Sequence, residues 1–284
     1  MSLIDVMHLG RDRVIGAYEI DGLIVDPGPS SCMDTLVAGL EEEPRALLLT
    51  HIHLDHAGAS GSLVRRFPGL RVYVHESGAQ HLVDPAKLLE SATRLYGDDM
   101  VRLWGDVLPV PAESVVALVG GESIEGFRVA HAPGHARHHV VYLHEATGDA
   151  YVGDVAGVRI PPIDFTIPPT PPPDIDVEAW RESLAKIRDW KPETVFITHF
   201  GAYAGAAEHL DRFETSLSDV VEMARRIIHS GASDEAKYEQ FRDEVLAYVR
   251  AAVNEEEVRP LEFVGPLEFN WRGLLRYWKK RGAA

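Results

Sequence analysis

Four side chains able to bind a metal ion fall within six residues: His51, His53, Asp55 and His56, in Thr50-His51-Ile52-His53-Leu54-Asp55-His56-Ala57-Gly58. Imidazole nitrogen and carboxylate oxygen suit zinc, manganese or iron, and the segment lacks the cysteine of a soft-metal site. In extended chain His51 and His53 project to one side and can share an ion. Asp55 and His56 fall where the chain should turn into a helix, and can swing towards a second ion. The plain alternative is a polar loop in which histidines cluster by accident. Placement directly behind a compact apolar run argues against it. The chemistry such a site offers is hydrolysis by a metal-activated water.

Positioning these groups requires strand ends. Residues 46–49, just before the cluster, read as a buried strand, as do 71–74, 115–119, 127–130, 140–143, 150–152 and 195–197. Residues 14–20 and 23–25 flank Asp21-Gly22, a hairpin signal. Residues 33–40 read as a short helix. From Ile160 to Pro173 proline is too dense for helix or central strand, so a stiff loop is expected, ending at Asp174 or Asp176, either of which can cap the next helix. In that helix Trp180, Leu184, Ile187 and Trp190 keep helical spacing. Leu210, Phe213, Leu217, Val220, Val221, Ala224 and Ile227 form a second stripe, and Tyr238, Phe241, Val245, Tyr248 and Val249 a third. The aromatic and basic tail, 260–284, reads as a packed C-terminal element. Strands interleaved with helices predict sheets covered by helices.

The chain-wide balance narrows the function. A net charge of −16 disfavours a nucleic-acid partner, which needs clustered Lys and Arg, and an anionic membrane surface. A single cysteine, Cys32, excludes an intrachain disulfide. The first ten residues do not read as a signal peptide, and no stretch reaches the roughly 18 apolar residues of a membrane span, so a cytoplasmic location is expected.

The H-x-H-x-D-H run resembles the signature of the metallo-β-lactamase superfamily, and further matches follow in order. Ala132-Pro133-Gly134-His135 resembles the second metal motif of that family. Gly153-Asp154 resembles the carboxylate shared by both ions, and Thr198-His199-Phe200-Gly201 the last histidine. The opening hairpin and Asp26-Pro27-Gly28 resemble its N-terminal strands and acidic turn. The resemblance spans roughly residues 10–205. It implies an α+β fold, a four-layer αββα sandwich of two mixed sheets flanked by helices, over a catalytic domain of residues 1–205. Residues 206–284 are then a mainly helical extension. It also implies two divalent ions, zinc foremost with manganese or iron as alternatives, on His51, His53, Asp55, His56, His135, Asp154 and His199. Asp55 could also relay a proton to the leaving group. His131, His138 and His139 compete with His135, which is preferred for its Pro-Gly turn; Asp149 competes with Asp154 but lies in a hairpin turn.

Aspartate at the position of Asp154 is typical of glyoxalase II-like thioesterases, lactonases and phosphodiesterases rather than of true β-lactamases. The expectation is a dinuclear hydrolase in which a hydroxide bridging the metals attacks a small ester, lactone or thioester. Phosphodiesterase or nuclease chemistry and a mononuclear iron dioxygenase are the alternatives. Ile163 and Phe165 of the Pro-rich loop are expected to wall the pocket, with Phe200 and Tyr203 facing them. His138 lines the pocket or supports the site. The helices after Gly205 are expected to cover the core or to form a homodimer contact.

Overall fold

The computed structural model of the protein describes residues 1–161, 163, 165–253 and 266–282. The Asp21-Gly22 signal is a two-residue turn with φ of 49° and 72°, the left-handed pair that matches strand twist. It joins β2 (Gly16–Ile20) to β3 (Leu23–Val25), and β1 (Ser2–Asp5) pairs antiparallel with β2. Parallel strands β4 (Ala46–Leu48), β5 (Arg71–His75) and β6 (Val115–Leu118) complete a six-stranded sheet in sequence order.

The second sheet runs β12-β11-β10-β9-β8-β7. Its strands are β7 (Ser123–Ile124), β8 (Phe127–His131), β9 (Val140–His144), β10 (Ala150–Tyr151), β11 (Thr194–Ile197) and β12 (Gly201–Ala204). Only β10 and β11 are parallel there. Strands β3, β4 and β9–β11 are buried or nearly so along their length, so apolar runs rather than strict alternation mark them. Tyr18, Leu48, Tyr142, Tyr151 and Phe196 fill the space between the sheets.

Helices cover both outer faces, giving the four-layer αββα sandwich. On the first sheet lie α1 (Met33–Gly39), α2 (Leu54–Ala57), α3 (Ser60–Arg66) and α4 (Glu76–Val83), followed by α5 (Ala86–Tyr96) and α6 (Met100–Trp104). On the second lie α7 (Val177–Trp190), α8 (Ala206–Ile228), α9 (Asp234–Arg250) and α10 (Leu267–Lys280). Asp176 rather than Asp174 caps α7, its carboxylate accepting from the Ala179 N–H at 3.1 Å. Trp180, Leu184 and Ile187 share one buried core with Leu210, Phe213, Phe241, Trp271 and Tyr277, so the helices after Gly205 cover the second sheet. The tail forms α10 from 267 onward; residues 260–265, 283 and 284 lie outside the described residues. Among the described residues no helix is long and apolar enough to cross a membrane.

Candidate metal centre

Every side chain of the predicted constellation arrives at the same end of the sandwich. His51 and His53 follow β4, and the chain enters α2 at Leu54, which turns Asp55 and His56 inward. His135 follows β8, Asp154 follows β10 and His199 follows β11. Donor atoms converge in three overlapping groups, each within 4.8 Å: His51, His53 and His135; His51, His56 and Asp154; Asp55, His56 and His199. Asp154 stands between the outer two. Its Oδ2 lies 3.3 Å from His135 Nε2, and its Oδ1 lies 3.3 Å from His56 Nε2 and 3.6 Å from His199 Nε2. Asp55 Oδ2 lies 3.3 Å from His199 Nε2.

Hydrogen bonds behind the centre aim these nitrogens. The Nδ1–H groups of His135 and His199 donate to the carbonyls of Pro169 (2.8 Å) and Val14 (2.7 Å), which can only accept. In neutral imidazoles Nε2 therefore carries the lone pair. Thr50 Oγ1 donates its one proton to Asp26 and so accepts from His51 Nδ1 at 3.0 Å. The lone pairs of His51 and His135 then face His53 Nδ1 at 2.9 and 3.0 Å, more than one shared proton can satisfy. His56 Nε2 and Asp154 Oδ1 are buried and make no hydrogen bond. Converging lone pairs, carboxylate oxygens and orphaned buried atoms fit divalent cations, and the all-nitrogen and oxygen donor set suits zinc, manganese or iron.

The electrostatics agree. Burial, reinforced by neighbouring imidazoles, pushes His51 and His53 below their ordinary values, His53 to about 3. Burial lowers His135 too, although Asp154 opposes it. His56 and His199 go the other way: burial lowers them, but Asp154 and Asp55, joined at His56 by Asp26, raise both above the usual imidazole value. Against burial, His56 and His199 hold Asp154 and Asp55 below the usual carboxylate range. The two ionised carboxylates favour positive charge beside them, on His56 and His199 or on a bound cation.

Two groups outside the predicted set build this centre. Asp26, buried at the end of β3 with φ of 50°, accepts from the Thr50 N–H (2.8 Å), the Thr50 and Thr198 hydroxyls (2.7 and 2.9 Å) and His56 Nδ1 (2.8 Å). It thereby ties the two sheets together beneath the site. Its signal was the acid before Pro27-Gly28. Gly153 has φ of 49°, and a Cβ there would come within 2.5 Å of Thr50 Oγ1 and 2.9 Å of His139 Nε2. Only glycine brings Asp154 in so closely. His139 supports the site, its ring stacked on His51 at 4.8 Å.

Above the centre opens a cavity of about 370 Å³. His138 lines it, but four other expected wall residues do not. Ile163 is buried in the core beneath α8, and Phe165 packs edge-on against Tyr248 of α9. Phe200 is buried over Gly16, while the Tyr203 hydroxyl donates to the carbonyls of Arg159 (2.6 Å) and Phe200 (2.9 Å). The large apolar side chains Ile163 and Phe165 turn towards the core, where burial stabilises them, and four prolines of the loop face the cavity. Pro169 and Pro171–Pro173 line that wall. Two helices complete the lining: α5 through Leu88, Leu95 and Tyr96, and α10, which packs on the loop through Asn270 and Thr170, through Phe269. His81, which has no metal-ligand spacing, lines the cavity as well. Two basic side chains of the second half lie away from the cavity: Arg159 over the Tyr203 ring, and Lys186 donating to the His131 carbonyl.

The chain is similar to known proteins. The metallo-beta-lactamase superfamily model matches residues 17–199, and the chain belongs to that superfamily. It is 31% identical over 162 residues to the metallo-beta-lactamase fold-containing protein ST1585 of Sulfurisphaera tokodaii, covering 55% of this chain and 60% of that one. The hydroxyacylglutathione hydrolase of Thermosynechococcus vestitus is 30% identical over 131 residues, 46% of this chain and 42% of its own. The chain thus spans three fifths or less of these curated relatives. Among solved structures, the archaeal ST1585 superposes with a TM-score of 0.68 at 23% identity, covering 96% of this chain and 97% of that one. TTHA1623, solved in a di-iron-bound form, gives 0.51 at 28% identity, covering 67% and 89%. The protein is a member of this superfamily that carries a His/Asp cluster fit to hold metal ions.

Proposed function

We propose that the protein hydrolyses a small ester, lactone or thioester with two divalent ions, and that a thioester is the first substrate class to test. One observation carries the reading: the two oxygens of Asp154 face different histidine groups, the arrangement of a carboxylate shared by two ions. His51, His53 and His135 would hold one ion, and Asp55, His56 and His199 the other. Bound there, the pair would supply a water deprotonated near neutral pH and a Lewis acid for the carbonyl oxygen. Asp55, with a side chain 27% exposed at the cavity floor, is placed to pass a proton to the leaving oxygen or sulfur. Its low pKa keeps it ionised as the acceptor. The prolines and α5 limit water around the scissile bond. The similarity to hydroxyacylglutathione hydrolases supports a thioester, and the di-iron form of TTHA1623 makes iron the alternative to zinc.

The test loads the protein with zinc, manganese or iron, measures metal per chain, and assays thioesters, lactones and phosphodiesters. Two ions per chain with thioester or ester turnover is expected. Two bound ions with turnover of phosphodiesters alone would overturn it. Asp55→Asn with full metal and unchanged turnover would remove the proton-relay role.

A further inference from the structure

The rim of the cavity is uneven in charge. Tyr96 of α5 meets Phe269 of α10 edge to face, with ring centroids 5.3 Å apart. Each helix carries one cation on the cavity side, away from that contact. Lys87 precedes Tyr96 by two and a half turns and Arg276 follows Phe269 by two, about 10–14 Å along the helix axes. Arg137 lines the cavity as a third cation, with Nε 3.6 Å from Asp174 Oδ2. Arg276 Nε donates to the Pro173 carbonyl at 3.2 Å, and neither it nor Lys87 has a carboxylate partner among the described residues. Outside the candidate metal centre, Asp174 is the one carboxylate lining the cavity among the described residues, against three cations. In a chain of net charge −16 that local reversal would focus anions into the cavity.

The two ends also lie over different parts of the floor. Arg137 adjoins His138, whose ring centroid is 5.9 Å from that of His53, the side of the first three-histidine group. Tyr96 lies on the other side, packed on the cluster of Leu54, Ala92 and Trp104 beside Asp55, its ring centroid 5.1 Å from that of Trp104. An uncharged substrate would leave the cations unused, and a uniformly polar one would desolvate poorly against Leu95, Tyr96 and Phe269.

We propose that the cavity takes a thioester or ester that is anionic at one end and apolar at the other. The anionic group, carboxylate or phosphate, lies against Lys87, Arg137 and Arg276 on the His53 side. The apolar group lies between Tyr96 and Phe269 on the Asp55 side. This rests on the hydrolase reading above and adds the substrate class and its orientation.

One acyl group presented to the metal-loaded protein on glutathione, on coenzyme A and on uncharged N-acetylcysteamine tests it. The charged thioesters should lead in kcat/KM, with the advantage shrinking as salt rises; carboxylate and phosphate sources separate by which carrier leads. In Lys87→Gln/Arg276→Gln the ratio of charged to uncharged kcat/KM should fall about tenfold, mainly through KM. Lys87→Arg/Arg276→Lys should keep it. Equal turnover of all three carriers, or a double variant that slows all three alike, overturns the proposal and leaves the hydrolase reading intact. Calorimetry with unreactive S-hexylglutathione and its N-acetylated diethyl ester, which carries no charge, decides the matter if nothing is hydrolysed. Tighter binding of the free acid, weakened by the double variant, upholds the anion site, whereas equal binding sinks it. A shift of preference to longer acyl groups in Phe269→Ala supports the apolar end, and an unchanged chain-length profile refutes it.

Discussion

The floor of the cavity draws its side chains from strand ends, whereas its facing wall comes from two helices far apart in the chain. The floor residues follow strands in the chain, and the Nδ1 atoms of His51, His56, His135 and His199 are held by a hydroxyl, Asp26 or a carbonyl. Among the described residues no such network joins the two wall helices; Tyr96 and Phe269 meet by ring contact. Floor geometry follows from rigid, hydrogen-bonded backbone. Wall geometry follows from how α5 and α10 pack, which tolerates change. Substitutions in the floor should therefore remove function, and those in the wall should redirect it.

The largest break of that contrast is Asp154→Asn, which removes the charge shared by both histidine groups. We expect kcat/KM to fall about a thousandfold or more with metal content below two per chain, read by elemental analysis and steady-state kinetics. Asp26→Asn, one layer further out, should cost about 10–100-fold in metal affinity, because His56 and Thr50 lose the carboxylate that orients them. A metal titration checks this; unchanged affinity would mean that Asp26 only ties the sheets.

Chelated protein sharpens the same point through pH. His51, His53, His135, His138 and His139 are pushed below the ordinary imidazole value, chiefly by burial. From about pH 6.5 downward the unfolded chain binds protons that the fold refuses, so stability drops, by about 1.4 kcal/mol per pH unit for each such group. For His53 that window extends to about 3. His56 and His199 are raised, so their contribution is complete below about 6.5 and is lost as pH rises through their folded values. The melting midpoint in chelator should peak near neutral pH and fall on both sides. Bound metal should flatten the acid limb until the ions dissociate.

The smallest effect tests the wall by its negative. Phe165→Ala should lower the melting midpoint, since the ring packs on Tyr248, yet leave substrate preference as it was. Altered acyl-chain preference in kinetics would return Phe165 to the pocket.

Legibility divided along the same line. His51, His53, Asp55 and His56 could be read from their crowding behind an apolar run, since a strand that stops delivers its next side chains to the sheet edge; His135, Asp154 and His199 were legible through motifs that resemble those of a known family. The hairpin at Asp21-Gly22, the Asp176 cap and the stripes of α7 to α9 are equally local in origin. The wall could not be read. Ile163 and Phe165 are the apolar members of a loop near Asp154, and sequence proximity favours them. Their apolar surface is better removed from water beneath α8 and α9. Leu88 and Tyr96, or Phe269 and Arg276, carry no local mark of a pocket.

By itself, then, the sequence determined which groups could hold metal and on which strand ends they stand, since spacing and periodicity act over a few residues. Only the tertiary structure decided that Asp26 braces the centre across both sheets, that prolines of the loop rather than Ile163 and Phe165 face the cavity, and that helices more than 150 residues apart share a wall. Those outcomes depend on which apolar faces exclude water together, a competition among all parts of the chain that no local pattern encodes.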